Sequence, residues 1–306
     1  MWRRLFTSPT LHLSRYRIQG PHEETPWSHT IVLPGSGGCW FESEGQRAVA
    51  DANTVLFLNA DVPYRVTPLG PSGCEGHAIA LRPDILLRRL ATRADPLRPF
   101  DSLAASSSTA SYFTKHVLLD RVHGSDAESI AAFEAGSMSL ALLCLPVRER
   151  PRASLRRSLA VASLHRETAE RVKAFLVERV CDPVQLSDVA DAVKVSPFHL
   201  CRIFKAETDL SIHRYLNRLR LREALGRVNA PQADLMDIAL DLGFSSHSHF
   251  SFAFGREYGV SPTRFRKLVT TRSLKEAFAE LGEIERGDDS SPDAPGQATS
   301  DLHDNG

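Results

Sequence analysis

Lys205-Ala206-Glu207-Thr208-Asp209-Leu210-Ser211-Ile212-His213-Arg214-Tyr215 returns fifty positions later as Gly255-Arg256-Glu257-Tyr258-Gly259-Val260-Ser261-Pro262-Thr263-Arg264-Phe265. Glu207 matches Glu257, Ser211 matches Ser261, Arg214 matches Arg264, and Tyr215 matches Phe265. Upstream the match continues at an offset of forty-nine: Leu186, Val189, Ala190, Val193 and Val195 answer Leu235, Ile238, Ala239, Leu242 and Phe244. One residue inserted near Ser245-Ser246 then aligns Leu200 and Phe204 with Phe250 and Phe254. Apolar residues three and four apart mark helix faces. Ser196-Pro197 and Ser246 have the chemistry of helix starts. Each copy therefore predicts a short helix, a tight turn and a second helix. A helical solenoid is also compatible with a repeat of this length, although such arrays usually need three or more units.

In a helix-turn-helix the second helix enters the DNA major groove. Ile238-Ala239-Leu240-Asp241-Leu242-Gly243-Phe244, then Phe250, Phe254 and Gly259-Val260-Ser261-Pro262-Thr263-Arg264-Phe265-Arg266, resemble the signature of the AraC/XylS family of bacterial transcription regulators. The resemblance covers residues 166–268. It implies two helix-turn-helix motifs, at about 187–208 and 235–258, joined by a linker helix over Ile212 to Val228 and reading successive major-groove segments.

Net charge is zero over 306 residues, with 37 basic and 37 acidic side chains, but it is unevenly spread. Residues 166–268 hold 16 basic and 13 acidic residues, whereas 269–306 hold 3 and 9. The acidic end masks a mildly basic domain. So small an excess predicts modest non-specific attraction to phosphate and reliance on base contacts. No stretch approaches the roughly 18 apolar residues of a membrane span. Met1-Trp2-Arg3-Arg4-Leu5-Phe6 has no sustained apolar run, so no secretory signal is expected and the location expected is cytoplasmic. The five cysteines are odd in number and widely spaced, which predicts reduced thiols acting as small hydrophobes. Cys39, Cys74, His22, His29 and His77 lack the tight ligand spacing of a zinc site.

From Thr30 to Arg82, strand-like runs at 30–33, 37–41, 54–58 and 77–81 alternate with turn-forming Pro, Gly and Asp. Short strands at close spacing predict a barrel or sandwich. Beside the C-terminal match, Asp51-Ala52-Asn53-Thr54-Val55-Leu56-Phe57 and Pro63-Tyr64-Arg65-Val66 resemble a cupin-type sensor domain. Cupin enzymes hold a metal with a His-x-His pair, a Glu and a further His. Cys39 to Glu42 and Tyr64 occupy those places here, so neither metal nor other cofactor is expected. Trp40, Phe41, Phe57 and Tyr64 are candidates to line an apolar effector pocket, with core packing as the alternative. Helical patterning at 112–122 and 127–145 places Leu118, Leu119, Val122, Ile130, Phe133, Met138 and Leu142 on a face for dimerisation or for packing on the barrel. Arg148, Arg150, Arg152, Arg156 and Arg157 mark a linker over 148–165, and a further helix is expected over 273–284.

The expected α+β protein has a cupin-like sensor at 1–110, a helical dimerisation or linker region at 111–165, an all-α DNA-binding domain at 166–268, and a disordered acidic tail at 287–306. By the family pattern, Phe198, Cys201 and Arg202 of the first unit and His247, Ser248, Ser251 and Phe252 of the second face bases, with His249 partly turned inward. Arg202 suits the O6 and N7 of guanine. Phe252 stands where the first unit has Arg202, and Gly255 where it has Lys205, so the second helix should lean on thymine methyl contacts. Ser196, Lys205, Arg218, Ser246, Arg256 and Arg264 are candidates for the backbone, with Arg214 and Arg264 alternatively pairing Glu207 and Glu257. Lys194, equivalent to Gly243, is expected in a left-handed conformation. The implied partners are promoter DNA, RNA polymerase, a small-molecule effector and a second copy of the chain. A cupin-type enzyme, a DNA-repair alkyltransferase and a ligand-free DNA-binding or interaction protein stand as alternatives. The alkyltransferase would need a Pro-Cys-His-Arg motif, which is absent.

Overall fold

Parity along the strands decides the N-terminal architecture. The computed structural model describes residues 2–82, 84, 86, 95, 97–119, 127–144, 159–230 and 232–271. Its strands are β1 (Trp2–Thr7), β2 (Leu11–Ile18), β3 (His22–Glu24), β4 (Thr30–Gly37), β5 (Cys39–Ser43), β6 (Gln46–Ala50), β7 (Thr54–Leu58), β8 (Tyr64–Pro68), β9 (Cys74–Leu81) and β10 (Ala104–Ser106). They form a six-stranded sheet in the order β1-β2-β9-β4-β7-β10 and a four-stranded sheet in the order β3-β8-β5-β6. Tyr16, Val32, Leu56 and Ala78 of the larger sheet meet Phe41, Ala50, Tyr64 and Val66 of the smaller one. On the opposite face of the larger sheet, Leu13, Ile31, Phe57 and Ile79 pack beneath α1 (Thr109–Leu119) and α2 (Ala127–Cys144), through Leu118, Leu140, Ala141 and Cys144. Because successive side chains of a strand point to opposite faces, a strand buried on both sides reads as a continuous apolar run. Thr54–Leu58 and the start of β4 do so.

This parity corrects the pocket reading. Phe57 lies on the helix-covered face, against Phe100 at 5.2 Å between ring centres. Trp40 turns outward beneath the Arg47 guanidinium at 3.8 Å. Only Phe41 and Tyr64 share the interior, stacked at 5.4 Å, and the Tyr64 hydroxyl donates to Glu24 at 2.8 Å. The four aromatics pack the core and surface of the sandwich and do not line one cavity.

The thiol expectation is also corrected. Cys39 and Cys74 form a disulfide between the two sheets, leaving Cys144, Cys181 and Cys201 free among the described residues. The register explains the pairing. Gly37, at φ 71°, lies opposite Cys74, and the turn it makes carries the chain into the other sheet, so Cys39 arrives beside Cys74 despite a sequence separation of 35. Strands at residues 2–24 were absent from the sequence reading. β1 and β3 are polar and half-exposed, without an apolar run to betray them.

The helices that follow are α3 (Leu159–Glu178), α4 (Leu186–Val193), α5 (Pro197–Thr208), α6 (Ile212–Val228), α7 (Leu235–Asp241), α8 (His247–Tyr258) and α9 (Pro262–Thr271). One aromatic-rich core joins them, including Phe204, Tyr215, Phe250, Phe254, Tyr258 and Phe265. Tyr112 and Phe113 of α1 enter the same core, Phe113 lying 5.1 Å from Phe265. Leu118 and Met138 pack on the chain's own larger sheet. The side chains of Leu119, Val122, Ile130, Phe133 and Leu142, the arginines of 148–157, and the segments 273–284 and 287–306 lie outside the described residues.

The sandwich is tied to the helices by buried polar contacts around the β6–β7 turn. The Tyr215 hydroxyl donates to Asp51 at 2.7 Å, the Asn53 amide donates to the Tyr215 carbonyl at 3.1 Å, and the Val49 amide donates to Glu170 at 2.6 Å. Arg222, only 1% exposed, donates to the carbonyls of Ala52, Ser107 (2.8 Å) and Ser108 (3.2 Å). Desolvation raises the Asp51 carboxyl to about 6. The segment that most resembled a sensor domain is thus also the surface that grips α6.

Candidate nucleic-acid interface

Each helix-turn-helix is built by the same local rules. In the first, α4 ends at Lys194, whose φ of 59° and ψ of 44° are left-handed, as its equivalence to Gly243 required. Gly243 itself sits at φ 73°, and a Cβ there would lie 2.8 Å from the Arg220 guanidinium. Arg220 donates to the carbonyls of Val180 (2.8 Å), Asp182 (2.7 Å) and Gly243 (3.1 Å), so one buried cation of α6 fastens the entry to the first unit and the turn of the second. Sequence reasoning missed it, since nothing local distinguishes Arg220 from other arginines of α6. A second left-handed pair, Asp209 at φ 61° and Gly259 at φ 70°, ends α5 and α8 at equivalent places. Ser246 caps α8, its hydroxyl accepting from the His249 amide at 3.1 Å, whereas Ser196 makes no side-chain cap. Ser211 and Ser261 cap α6 and α9 in the same way, each accepting at 3.2 Å from the amide three residues on.

The second helix of each unit buries one stripe and leaves the other in solvent. On α5, Leu200, Ile203 and Phe204 are core, while Phe198, Cys201, Arg202 and Lys205 are exposed. On α8, Phe250, Phe254 and Tyr258 are core, while His247, Ser248 and Phe252 are exposed and Ser251 is half-buried. Phe198 is 82% and Phe252 68% exposed. Large apolar side chains held so far out of a core that has room for other phenylalanines suit an apolar partner such as a thymine methyl. Arg202 lies 3.2 Å from His199 Nδ1 and has no carboxylate partner among the described residues, so its fork is available. His247 reaches Ser251 at 3.4 Å. His249, expected partly inward, is exposed with its ring edge-on to Phe244 and Nδ1 3.1 Å from the Ser245 hydroxyl.

The phosphate candidates divide. Lys205, Arg256 and Arg264 are exposed. Arg218 differs from these: its guanidinium donates to Glu257 at 2.6 Å and to Thr109 of α1, and the ion pair is largely buried. That pair also answers the question of Glu257, whose partner is Arg218; the Arg218 charge and the Thr109 hydroxyl hold its carboxyl below the usual range against the opposing effect of burial.

The helix-turn-helix domain family matches residues 189–268. RhaS of Escherichia coli (strain K12 / DH10B), an HTH-type transcriptional activator, is 40% identical over 94 residues, 31% of this chain and 34% of RhaS. Its C-terminal domain is thus a helix-turn-helix domain similar to that of an HTH-type transcriptional activator. The chain spans about a third of the length of the curated relatives it matches. Among solved structures, a transcriptional regulator of Chromobacterium violaceum with an AraC-type DNA-binding domain is 24% identical, covering 37% of this chain and 99% of that one with a TM-score of 0.33. ToxT of Vibrio cholerae is 13% identical, covering 85% of this chain and 99% of that one, also with a TM-score of 0.33. Among the described residues no helix is long and apolar enough to cross a membrane.

Proposed function

We propose that this chain is an AraC/XylS-family, sequence-specific, promoter-binding transcription regulator of the cytoplasm in which α5 and α8 read adjacent major-groove segments and the N-terminal sandwich controls them. The observation that carries it is the pair of solvent-facing stripes, built twice by one repeated sequence and populated by side chains that recognise base edges and methyl groups. Phe198, Cys201 and Arg202 read one segment, and His247, Ser248, Ser251 and Phe252 the other. Lys205, Arg256 and Arg264, with the amides at the starts of α5 and α8 beside Ser196 and Ser246, take the phosphates. Domain limits at 1–110, 111–165 and 166–268 follow the same reading, with α1 shared between the two cores. Contact with RNA polymerase accords with the activator role of RhaS. For a homodimer, the described part of the expected face gives no support, because Leu118 and Met138 are spent on the chain's own sheet. No enzymatic role is assigned: the disulfide takes both Cys39 and Cys74, and Glu42 pairs with Arg47 at 2.9 Å on the surface.

Footprinting of the full chain on promoter-derived duplexes tests the reading. Two protected patches about one helical turn apart on one face are expected, weakening as salt rises. Absence of binding to every such duplex at low salt rejects it.

A further inference from the structure

A cavity of about 620 Å³ opens between β1, β2, β9, the end of β4, α1 and α6. None of the residues assigned to base or phosphate contacts lines it. Six cations line it, Arg3, Arg4, Arg15, Lys115, Arg222 and Arg227, against two carboxylates, Glu75 and Glu223. Glu223 feels the charges of Arg227 and Lys115 but forms an ion pair with neither among the described residues, and burial raises its carboxyl above the usual range. Glu75 is engaged by Arg15 at 3.0 Å. Arg227 is held from outside by Asp241 at 2.7 Å. Lys115 is 2% exposed, yet its ammonium has one hydrogen-bond acceptor among the described residues, the Pro34 carbonyl at 2.8 Å, with the Tyr112 ring 3.9 Å away. An ammonium has three donors, and a cation out of water is costly without a counter-ion. His77 Nδ1 and His116 Nε2, on facing elements of the lining, and Nε of Arg222 are buried without hydrogen-bond partners among the described residues. The imidazoles register the local field: burial and the Lys115 charge push His77 down to about 3 and His116 well below its ordinary value. Burial likewise lowers Lys115 to about 7.

We propose that this cleft binds a small, water-soluble polyanion, carrying two or more carboxylate or phosphate charges, as the chain's effector. The unpaired donors supply its recognition. The lining argues against a lipid, because Leu5 is the one aliphatic side chain in it among the described residues. The site rests on the regulator reading only for its consequence. Its walls come from the N-terminal sheet and from α6, the helix that joins the two DNA-reading units, so an anion bound between them favours the docked arrangement and changes DNA affinity by a linked factor.

Calorimetric titration of the full chain with citrate, inorganic phosphate and decanoate, each at matched ionic strength, decides the matter. Saturable binding of citrate, phosphate or both is expected, and which of the two binds identifies the carboxylate or phosphate source. Affinity should fall at least about tenfold, or 1.4 kcal/mol, in Lys115→Met and in the double variant Arg3→Ser/Arg4→Ser. The arginine pair is exposed, so that variant remains informative if the buried lysine variant does not fold. No saturable binding of citrate or phosphate, binding of decanoate alone, or binding indifferent to the arginine variant overturns the proposal. DNA retardation with the same preparations separates the failures: intact DNA binding without anion binding rejects the cleft alone, and anion binding without DNA binding rejects the regulator.

Discussion

Arg222→Met tests whether the buried contacts around α6 hold the two halves of the molecule together. The arginine donates to the carbonyls of Ala52, Ser107 and Ser108, of which Ala52 and Ser107 belong to buried residues. Removing the donor leaves those two acceptors dry, at about 1–3 kcal/mol each. Opposing this, the guanidinium is desolvated and has no carboxylate partner among the described residues; its lowered pKa reflects that burial. Replacing a buried charge with a side chain of similar length relieves part of the penalty. The expected net loss is therefore about 2–4 kcal/mol, concentrated at the junction. Trp2, Trp27 and Trp40 are the chain's three tryptophans, all in the sandwich, so their fluorescence reports that half while circular dichroism at the helix band reports mainly the other. In urea the two signals should coincide for the native protein and separate for Arg222→Met, the tryptophan transition coming first. Coincident transitions at unchanged stability would refute the view that Arg222 joins the halves.

Arg202→Ala should weaken specific DNA binding by about 1–3 kcal/mol and relax selectivity at one base pair; an equal loss on specific and random duplexes, measured by fluorescence anisotropy, would make Arg202 a phosphate contact. The two turns should respond oppositely to substitution: Lys194→Gly, relieving a left-handed residue, should stabilise by a few tenths to about 1 kcal/mol. Gly243→Ala, strained at φ 73° and crowding Arg220, should cost more than about 1 kcal/mol, both read from urea midpoints. Reducing Cys39–Cys74, which spans 35 positions, should lower the stability of the sandwich by about 4 kcal/mol on a loop-entropy view; an unshifted tryptophan transition in dithiothreitol counts against it.

Sequence by itself determined the C-terminal domain because everything decisive there is local. Helix ends, the linker helix over Ile212–Val228, the left-handed Lys194 and the solvent stripe of α5 all follow from spacing of three and four residues and from cap chemistry repeated in two copies, each copy checking the other. In the N-terminal half the strands of 30–81 were legible as apolar runs, but not which face each aromatic takes, because a sheet covered on both sides erases the alternation that would tell Phe41 from Phe57. What joins distant segments was invisible. The Cys39–Cys74 bond depends on a turn at Gly37, and the Arg218–Glu257 pair, the Arg220 staple and the cationic cleft depend on where α6 docks. An arginine every few residues along a helix reads as solvated surface. Only the packing of the sandwich and α1 against α6 takes Arg218, Arg220 and Arg222 out of water, and with the water gone their charges must find the partners that hold this molecule together.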